Sequence, residues 1–344
     1  MTVGICTRYS YHEAAFAALR LADCAVEQGL ETSLFTMSST RVAIDQHWDR
    51  KVILMTDMRF TAWAQSLDHI LWTNIPHPQQ IKWAKSQGKK TSALILWHEL
   101  SEEHLQALNL LDHLICPSRA CHELLRFHGF KNAFCIPWDT GLPQYRKPLN
   151  YAPVHPKLLL PLWDGNPRRT EMTALAVAAR ALARNPDATL TLGYNSSSMC
   201  SKGKRQIRAM SKQFGNRFTA KKSVSARDRY ILYQQHDLTL WPTHYESTCA
   251  TGLNSIEMGT PIIGFSFRPT DEILTVNNSI PIVCQESVND LGAPMAIPDY
   301  ELFDEFLHCL LKDMEFLRQL QHTTPEGSIS RRSLFTQGFA RILF

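Results

Sequence analysis

The sequence predicts an α/β protein built as two parallel-sheet halves in tandem, and three observations carry this. Short apolar runs alternate with longer amphipathic stretches along the whole chain, the pattern of strand–helix–strand units. The alternation stops once, over the proline-containing stretch Gly141–Pro156, and then restarts. The length of 344 residues suits two domains at about 100–200 residues each.

In the first half the predicted strands are Val3–Thr7, Thr32–Phe35, Lys51–Met55, His69–Trp72, Ser92–Leu96, His113–Cys116 and Ala133–Ile136. Ala14–Gln28 and Gln79–Ser86 read as helices, and Gly29 falls where a left-handed helix end belongs. In the second half strands are predicted at Lys157–Leu162, Thr189–Gly193, Asp237–Trp241, Pro261–Phe265 and Pro281–Cys284. Helices are predicted at Met172–Arg184, Tyr300–Gln321 and Leu334–Leu343. This divides the chain into an N-terminal domain over 1–150, a C-terminal domain over 151–325, and a closing helix over 326–344 that returns to the first domain. Open parallel sheets bind ligands at the carboxyl ends of their strands, so two facing sheets would place a site in the cleft between them.

Composition narrows the classes. Hydrophobic residues make up 44% and charged residues 20%, the balance of an ordinary globular chain. The nine cysteines are odd in number and show no C-x-x-C spacing, so reduced, buried thiols in a cytoplasmic protein are expected, with no metal site. No stretch of about 18 apolar residues and no export signal is seen, so no integral membrane segment is expected. H-E-x-x-H, G-x-x-x-x-G-K-[ST] and a G-x-G-x-x-G after the first strand are all missing, which sets aside zinc hydrolases, simple NTPases and dinucleotide oxidoreductases.

The most informative segment runs from His236-Asp237 through Trp241-Pro242 and Glu246 to Gly259-Thr260-Pro261. A buried strand ends at Pro242, a polar loop presents Glu246, and a helix starts among the small residues Ser247–Gly252, which include Thr248. Free N–H groups and the positive dipole end of such a helix suit a phosphate. This stretch resembles the donor-binding signature of the family 4 glycosyltransferases, the retaining group 1 enzymes of GT-B fold. The resemblance implies a nucleotide-sugar donor, a UDP-sugar first of all, with no further cofactor. It also implies two glutamates eight positions apart, one on the donor sugar and one on the ribose. Glu246 takes the first position and Asn254 the second, a departure that leaves Glu257, three residues on, as a possible substitute.

Three further stretches match the family in order. Leu111-Asp112 to Pro117-Ser118, continuing to Ile136-Pro137, resembles the run that closes the first domain. Leu94–His98 resembles a strand ending in a histidine beside the donor sugar, which makes His98 the second catalytic candidate. Leu158–Gly165 followed by Arg168-Arg169 resembles the loop that grips the diphosphate; Asn166 stands at the family's Arg position, leaving Arg168 or Arg169 for that role. The loop Arg8–Glu13 lacks the family's Gly-Gly pair, so it is expected to serve the acceptor.

Between Ser201 and Arg229 ten cations face one acid, Asp228, a balance of +9 in a chain whose total is +4. A solvated face and a surface for a polyanion both fit. The acceptors this leaves open are a lipid-linked or surface glycan at an anionic membrane and a hydroxymethylated base in DNA. The alternative to an enzyme is a GT-B-fold binding protein with lost or weak turnover. The implied reaction is retaining and metal-independent.

Overall fold

The computed structural model describes residues 1–7, 13–36, 52–55, 59–141, 145–148, 155–163, 171–194, 199–222, 224, 226–324 and 328–344. The chain divides into two compact units. The first comprises Met1–Gly141, Asn289–Ala293 and Ser330–Phe344; the second comprises Leu142–Val288 and Pro294–Ile329.

In the first unit the chain runs β1 (Thr2–Thr7), α1 (Glu13–Glu27), β2 (Glu31–Thr36), β3 (Val52–Met55), α2 (Phe60–Ala64), β4 (His69–Trp72) and α3 (Pro78–Ser86). It continues through β5 (Lys90–Leu94), α4 (Glu102–Leu108), β6 (His113–Cys116), α5 (Arg119–Phe127) and β7 (Ala133–Cys135). The described strands form one sheet in the order β3-β2-β1-β4-β5-β6-β7, every pair parallel. Such strands are covered on both faces, which is why β4 reads as an uninterrupted His-Ile-Leu-Trp and is buried throughout. The strand order reverses direction between β1 and β4, the switch point at which open sheets hold ligands.

The second unit contains β8 (Lys157–Leu162), α6 (Glu171–Arg184), β9 (Thr189–Tyr194), α7 (Ser201–Phe214), β10 (Phe218–Lys222), α8 (Ala226–Gln235), β11 (Leu238–Trp241), α9 (Ala250–Glu257) and β12 (Ile262–Ser266). After these come β13 (Ser279–Val283), β14 (Gln285–Val288), β15 (Pro294–Ile297), α10 (Tyr300–Leu310) and α11 (Met314–Thr323). Its described sheet is parallel in the order β10-β9-β8-β11-β12-β13, with the switch point between β8 and β11. Beside it β14 and β15 pair as an antiparallel hairpin.

Several elements differ from expectation. The span Tyr300–Gln321 is two helices, because Asp313 caps the second by accepting the Phe316 N–H at 2.9 Å. Strand β10 and the β14–β15 hairpin were not anticipated. Residues 145–148, expected in a linker, belong to the second unit: the Tyr145 N–H donates to Glu257 O at 2.8 Å, and the buried Lys147 meets Asp237 Oδ1 at 3.5 Å. The closing helix α12 (Ser328–Leu343) joins the first unit from Ser330 onward. Its Phe335 and Phe339 are buried, Phe335 meets Trp138 edge-on at 5.3 Å, and the Arg20 guanidinium lies 4.8 Å over the Phe335 ring. Arg20 also donates to the buried Asp139 at 2.7 Å.

Each unit buries a histidine that the fold keeps neutral. Desolvation lowers His69 to about 3, where Nε2 sits 2.8 Å from Ser92 Oγ, and lowers His236 to about 4, where Nε2 sits 2.8 Å from Thr191 Oγ1. Against an ordinary value of 6.5, the unfolded chain binds these protons first as pH falls. The stabilisation is therefore complete above about pH 6.5 and declines as pH drops toward the folded values. Each unit is expected to lose on the order of 2 kcal/mol between pH 7 and pH 5 from its histidine. Denaturant titrations at the two pH values check this. His69→Gln and His236→Gln should flatten the dependence, and an unchanged slope in both variants would contradict the assignment.

Candidate functional site

The second unit's switch point is where the sequence motif folds. Strand β11 ends at Trp241, and the next seven residues, Pro242–Thr248, stay buried except for the half-buried His244, although no regular element spans them. Glu246 is 2% exposed, and its Oε1 accepts the Thr243 hydroxyl at 3.1 Å. The main-chain carbonyl of His244 accepts the Ala296 N–H at 2.8 Å, so the β15 strand supports this loop from one side. Thr248 accepts the first helical N–H, that of Ala250, at 3.3 Å.

The cap position of α9 is Cys249, with φ 56° and ψ 25°. This is the left-handed region, which costs a residue with a Cβ roughly 1–2 kcal/mol. This turn joins the buried loop to the helix, which begins four residues after Glu246. Helix α9 then packs tightly on its strand: a Cβ on Gly252 would stand 2.7 Å from Ile273 Cδ1 and 2.8 Å from the Trp241 ring. The small residues at the start of this helix thus let it approach β11 closely.

The rest of the motif fastens this geometry. Thr260 is fully buried, and its hydroxyl reaches the carbonyls of Tyr233 and, at 3.2 Å, His236. Ser255 Oγ lies 2.6 Å from Thr239 Oγ1 and donates to Thr260 O at 2.7 Å, joining helix, strand and turn. Gly259 has φ +70°, and a Cβ there would lie 2.6 Å from the Tyr145 carbonyl, so the turn requires glycine twice over. Asp237 is completely buried and accepts the Lys157 N–H at 2.8 Å and the Gln321 amide at 3.2 Å. Asp112 repeats part of that role in the first unit, accepting the Thr91 N–H at 2.9 Å. Both aspartates of the matching runs therefore anchor strands.

The remaining candidates are placed as follows. Asn254 is half-buried in the middle of α9, and Glu257, 1% exposed, is the helix's last residue. From Ala250 to Glu257 the helix rises about 10 Å, so Glu257 stands at the end of α9 remote from Glu246 and Thr248. His98 belongs to the first unit, half-buried in a single 3₁₀ turn, Trp97–Glu99, that follows β5; the strand itself ends at Leu94. Gly165, Arg168 and Arg169 lie outside the described residues, as do 8–12 of the N-terminal loop. Sequence reading missed Thr243, whose hydroxyl holds Glu246, and Lys147, which has no local signal because its partner is 90 residues away.

The described side chains of the basic stretch, nine of the ten cations, separate into two groups. Lys202, Lys204, Arg205, Arg208 and Lys212 are exposed on α7, whose opposite face buries Ile207, Met210 and Phe214. Lys221 and Lys222 are exposed on the edge strand β10. Arg217 instead donates to the Leu182 and Asn185 carbonyls at 2.9 and 3.2 Å, and Arg229 lies 5.0 Å over the Trp163 ring. These two serve the fold. No helix among the described residues is long and apolar enough to cross a membrane.

This architecture, two units each built on a parallel, Rossmann-like sheet, is the fold of the GT-B glycosyltransferases. Among the solved structures it resembles is HepE of Anabaena in complex with UDP and glucose, with a TM-score of 0.74 at 11% identity over 100% of this chain and 99% of that one. Sucrose-phosphate synthase of Thermosynechococcus elongatus gives 0.71 at 14% identity, over 99% and 97% of the two chains. The pneumococcal O-GlcNAc transferase GtfA, in complex with UDP and GlcNAc, gives 0.71 at 10% identity, over 100% and 99%. At these identities the likeness is one of fold. No protein-family model and no curated protein matches the sequence.

Proposed function

We propose that this chain is a glycosyltransferase that takes its sugar from a nucleotide-sugar donor, a UDP-sugar first of all, bound on the β11–α9 segment. The observation that carries the proposal is the buried carboxylate of Glu246, on the loop leaving β11 at the sheet's switch point and directly ahead of a helix N-terminus. HepE and GtfA, which share the fold, were crystallised with UDP and a sugar, which favours a nucleotide-sugar over other phosphorylated ligands.

In this reading Glu246 and His98 orient the donor sugar. Thr248 and the α9 amides face the phosphates, with Gly165 and Arg168 or Arg169 completing the diphosphate grip. Asn254 takes the ribose, since Glu257 stands a helix length from Glu246. The anomeric carbon–phosphate oxygen bond breaks as the acceptor oxygen bonds the same carbon. The acceptor oxygen approaches on the face that the diphosphate leaves and passes its proton to that diphosphate, so the reaction retains configuration, and no metal is expected to take part. Positive groups aimed at the leaving oxygen lower the barrier because its charge grows in the transition state. A binding protein with weak turnover is the second reading, and the carboxamide at Asn254 in place of a carboxylate is what favours it.

The exposed cations of α7 and β10 are proposed to face a polyanion. For a lipid-linked or surface glycan that partner is an anionic membrane; for a hydroxymethylated base it is DNA. Sedimentation with phosphatidylserine vesicles and with duplex DNA separates them. Binding is expected to fall steeply as salt rises, because neutralised phosphates release counterions. Reversal of Lys204, Arg205, Arg208 and Lys212 to Glu should abolish it and leave nucleotide binding unchanged. If the wild type binds neither partner at low salt, this face is only solvated.

A further inference from the structure

The cysteines depart from the expectation of buried thiols. All nine are reduced, and Cys135, Cys200 and Cys309 are exposed. Cys200 caps α7 and Cys309 lies on α10, so neither is on a strand. Cys135 is different. It ends β7, and its register partner on the neighbouring strand is Cys116, the last residue of β6.

Register partners on parallel strands point to the same face of the sheet, with Cα atoms about 4.8 Å apart. That separation lies inside the range of roughly 4.4–6.8 Å that a disulfide spans. Cys121, in the first turn of α5, meets the same pair. Its thiol donates to Ile95 O at 3.6 Å, and the Cys116 thiol hydrogen-bonds its sulfur. Three thiols therefore run inward from Cys135 at the surface to the fully buried Cys116 and Cys121. Burial, reinforced by the two neighbouring thiols, pushes the Cys116 thiol well above its ordinary value. Cys116 thus stays protonated and does not open an attack, because the thiolate is the nucleophile. Cys135 is the member of the cluster that solvent and a dissolved oxidant reach.

We propose that Cys135 and Cys116 form a peroxide-oxidised pair, in which Cys135 takes the oxidant and Cys116 closes a reversible disulfide. The Cys135 thiolate attacks one oxygen of hydrogen peroxide, the O–O bond breaks, and hydroxide departs, leaving Cys135 as a sulfenic acid. The Cys116 sulfur then bonds the Cys135 sulfur and the S–O bond breaks. The departing hydroxide takes the Cys116 proton and leaves as water, so no free Cys116 thiolate is needed. Two thiols lose two electrons and the peroxide gains them. The bond ties β7, a three-residue strand at the sheet's edge, to β6. It also stops Cys135 short of the irreversible sulfinic acid, and a dithiol restores both thiols by exchange. Cys200 and Cys309, off the strands, have no register partner to do this. The inference does not rest on the transferase reading.

The test is mass spectrometry of the full chain after treatment with hydrogen peroxide, blocking with N-ethylmaleimide and digestion with trypsin. Arg119, Arg126 and Lys131 place Cys116, Cys121 and Cys135 on three separate peptides, so each crosslink has its own mass. The Cys116–Cys135 crosslink should be the main disulfide, and dithiothreitol should remove it. In Cys116→Ser and Cys116→Ala it should be absent, with sulfinic acid at Cys135 at least about tenfold above the wild type. Agreement between those two variants separates loss of the thiol from disturbance of the core. In Cys135→Ser, at an exposed position, Cys116 should stay reduced at the peroxide dose that converts it in the wild type. The inference is overturned if the wild type gives Cys135 sulfinic acid without the crosslink, or if Cys116 pairs with Cys121 instead. Equal oxidation of Cys116 in Cys135→Ser would overturn it as well.

Discussion

Glu246→Gln is expected to lower sugar transfer about 10²-fold or more, the scale for losing a preorganised electrostatic contact in an active site. The substitution keeps side-chain volume, and the Thr243 hydroxyl can still donate to the remaining carbonyl oxygen. Loss of activity should therefore come without loss of fold. UDP affinity should also hold, because the carboxylate is assigned to the sugar and the phosphates to α9 and the arginines. Near-normal transfer in this variant would remove Glu246 from the site. Equal loss of UDP binding would make its role structural.

The largest effect on stability is expected from Lys147→Met, which should destabilise the second unit by about 3–5 kcal/mol. Lys147 and Asp237 are both buried, and burial pulls the ammonium below its ordinary value while the carboxylate opposes that shift. Methionine fills the space but leaves Asp237 as an uncompensated charge beneath β8 and β11. Adding Asp237→Asn removes that charge, and the amide oxygen can still accept the Lys157 N–H. The double variant should recover much of the loss, so denaturant melts of the cycle should be strongly non-additive. Additive losses would mean that the two residues act separately. Because this pair fastens the segment after Gly141 to the strand that presents the site, the cycle also tests how the site is held.

Much of this was legible in the sequence because parallel strands buried on both faces announce themselves as apolar runs. His113–Cys116 and Lys157–Leu162 match the observed strands, as does the whole sequence of elements from Trp241 to Gly259. Strand β10 was hidden because it is an edge strand ending in Lys221 and Lys222, which read as part of a charge run. The β14–β15 hairpin was hidden because its residues are short, largely exposed and weakly alternating. Residues 145–148 looked like linker because long-range contacts hold them, the Tyr145 N–H on Glu257 O and the Lys147–Asp237 pair, rather than a local pattern. The same limit applies to the site. Spacing from Gly259-Thr260-Pro261 singled out Glu246 and Asn254, with Glu257 as a substitute for Asn254 that the sequence could not separate from it until helix rise put the two at different heights.

The most direct test of the donor assignment is release of nucleoside diphosphate from a panel of nucleotide-sugars, measured on the wild type, on Glu246→Gln and on the Arg168→Ala, Arg169→Ala double variant. The wild type should turn over at least one donor, a UDP-sugar before others. Glu246→Gln should bind that donor's diphosphate normally and release it about 10²-fold more slowly, and the double variant should bind it more weakly. A wild type that neither binds nor cleaves any donor of the panel, at a saturating concentration and with glycosides present, would contradict the assignment of the β11–α9 segment to a nucleotide-sugar.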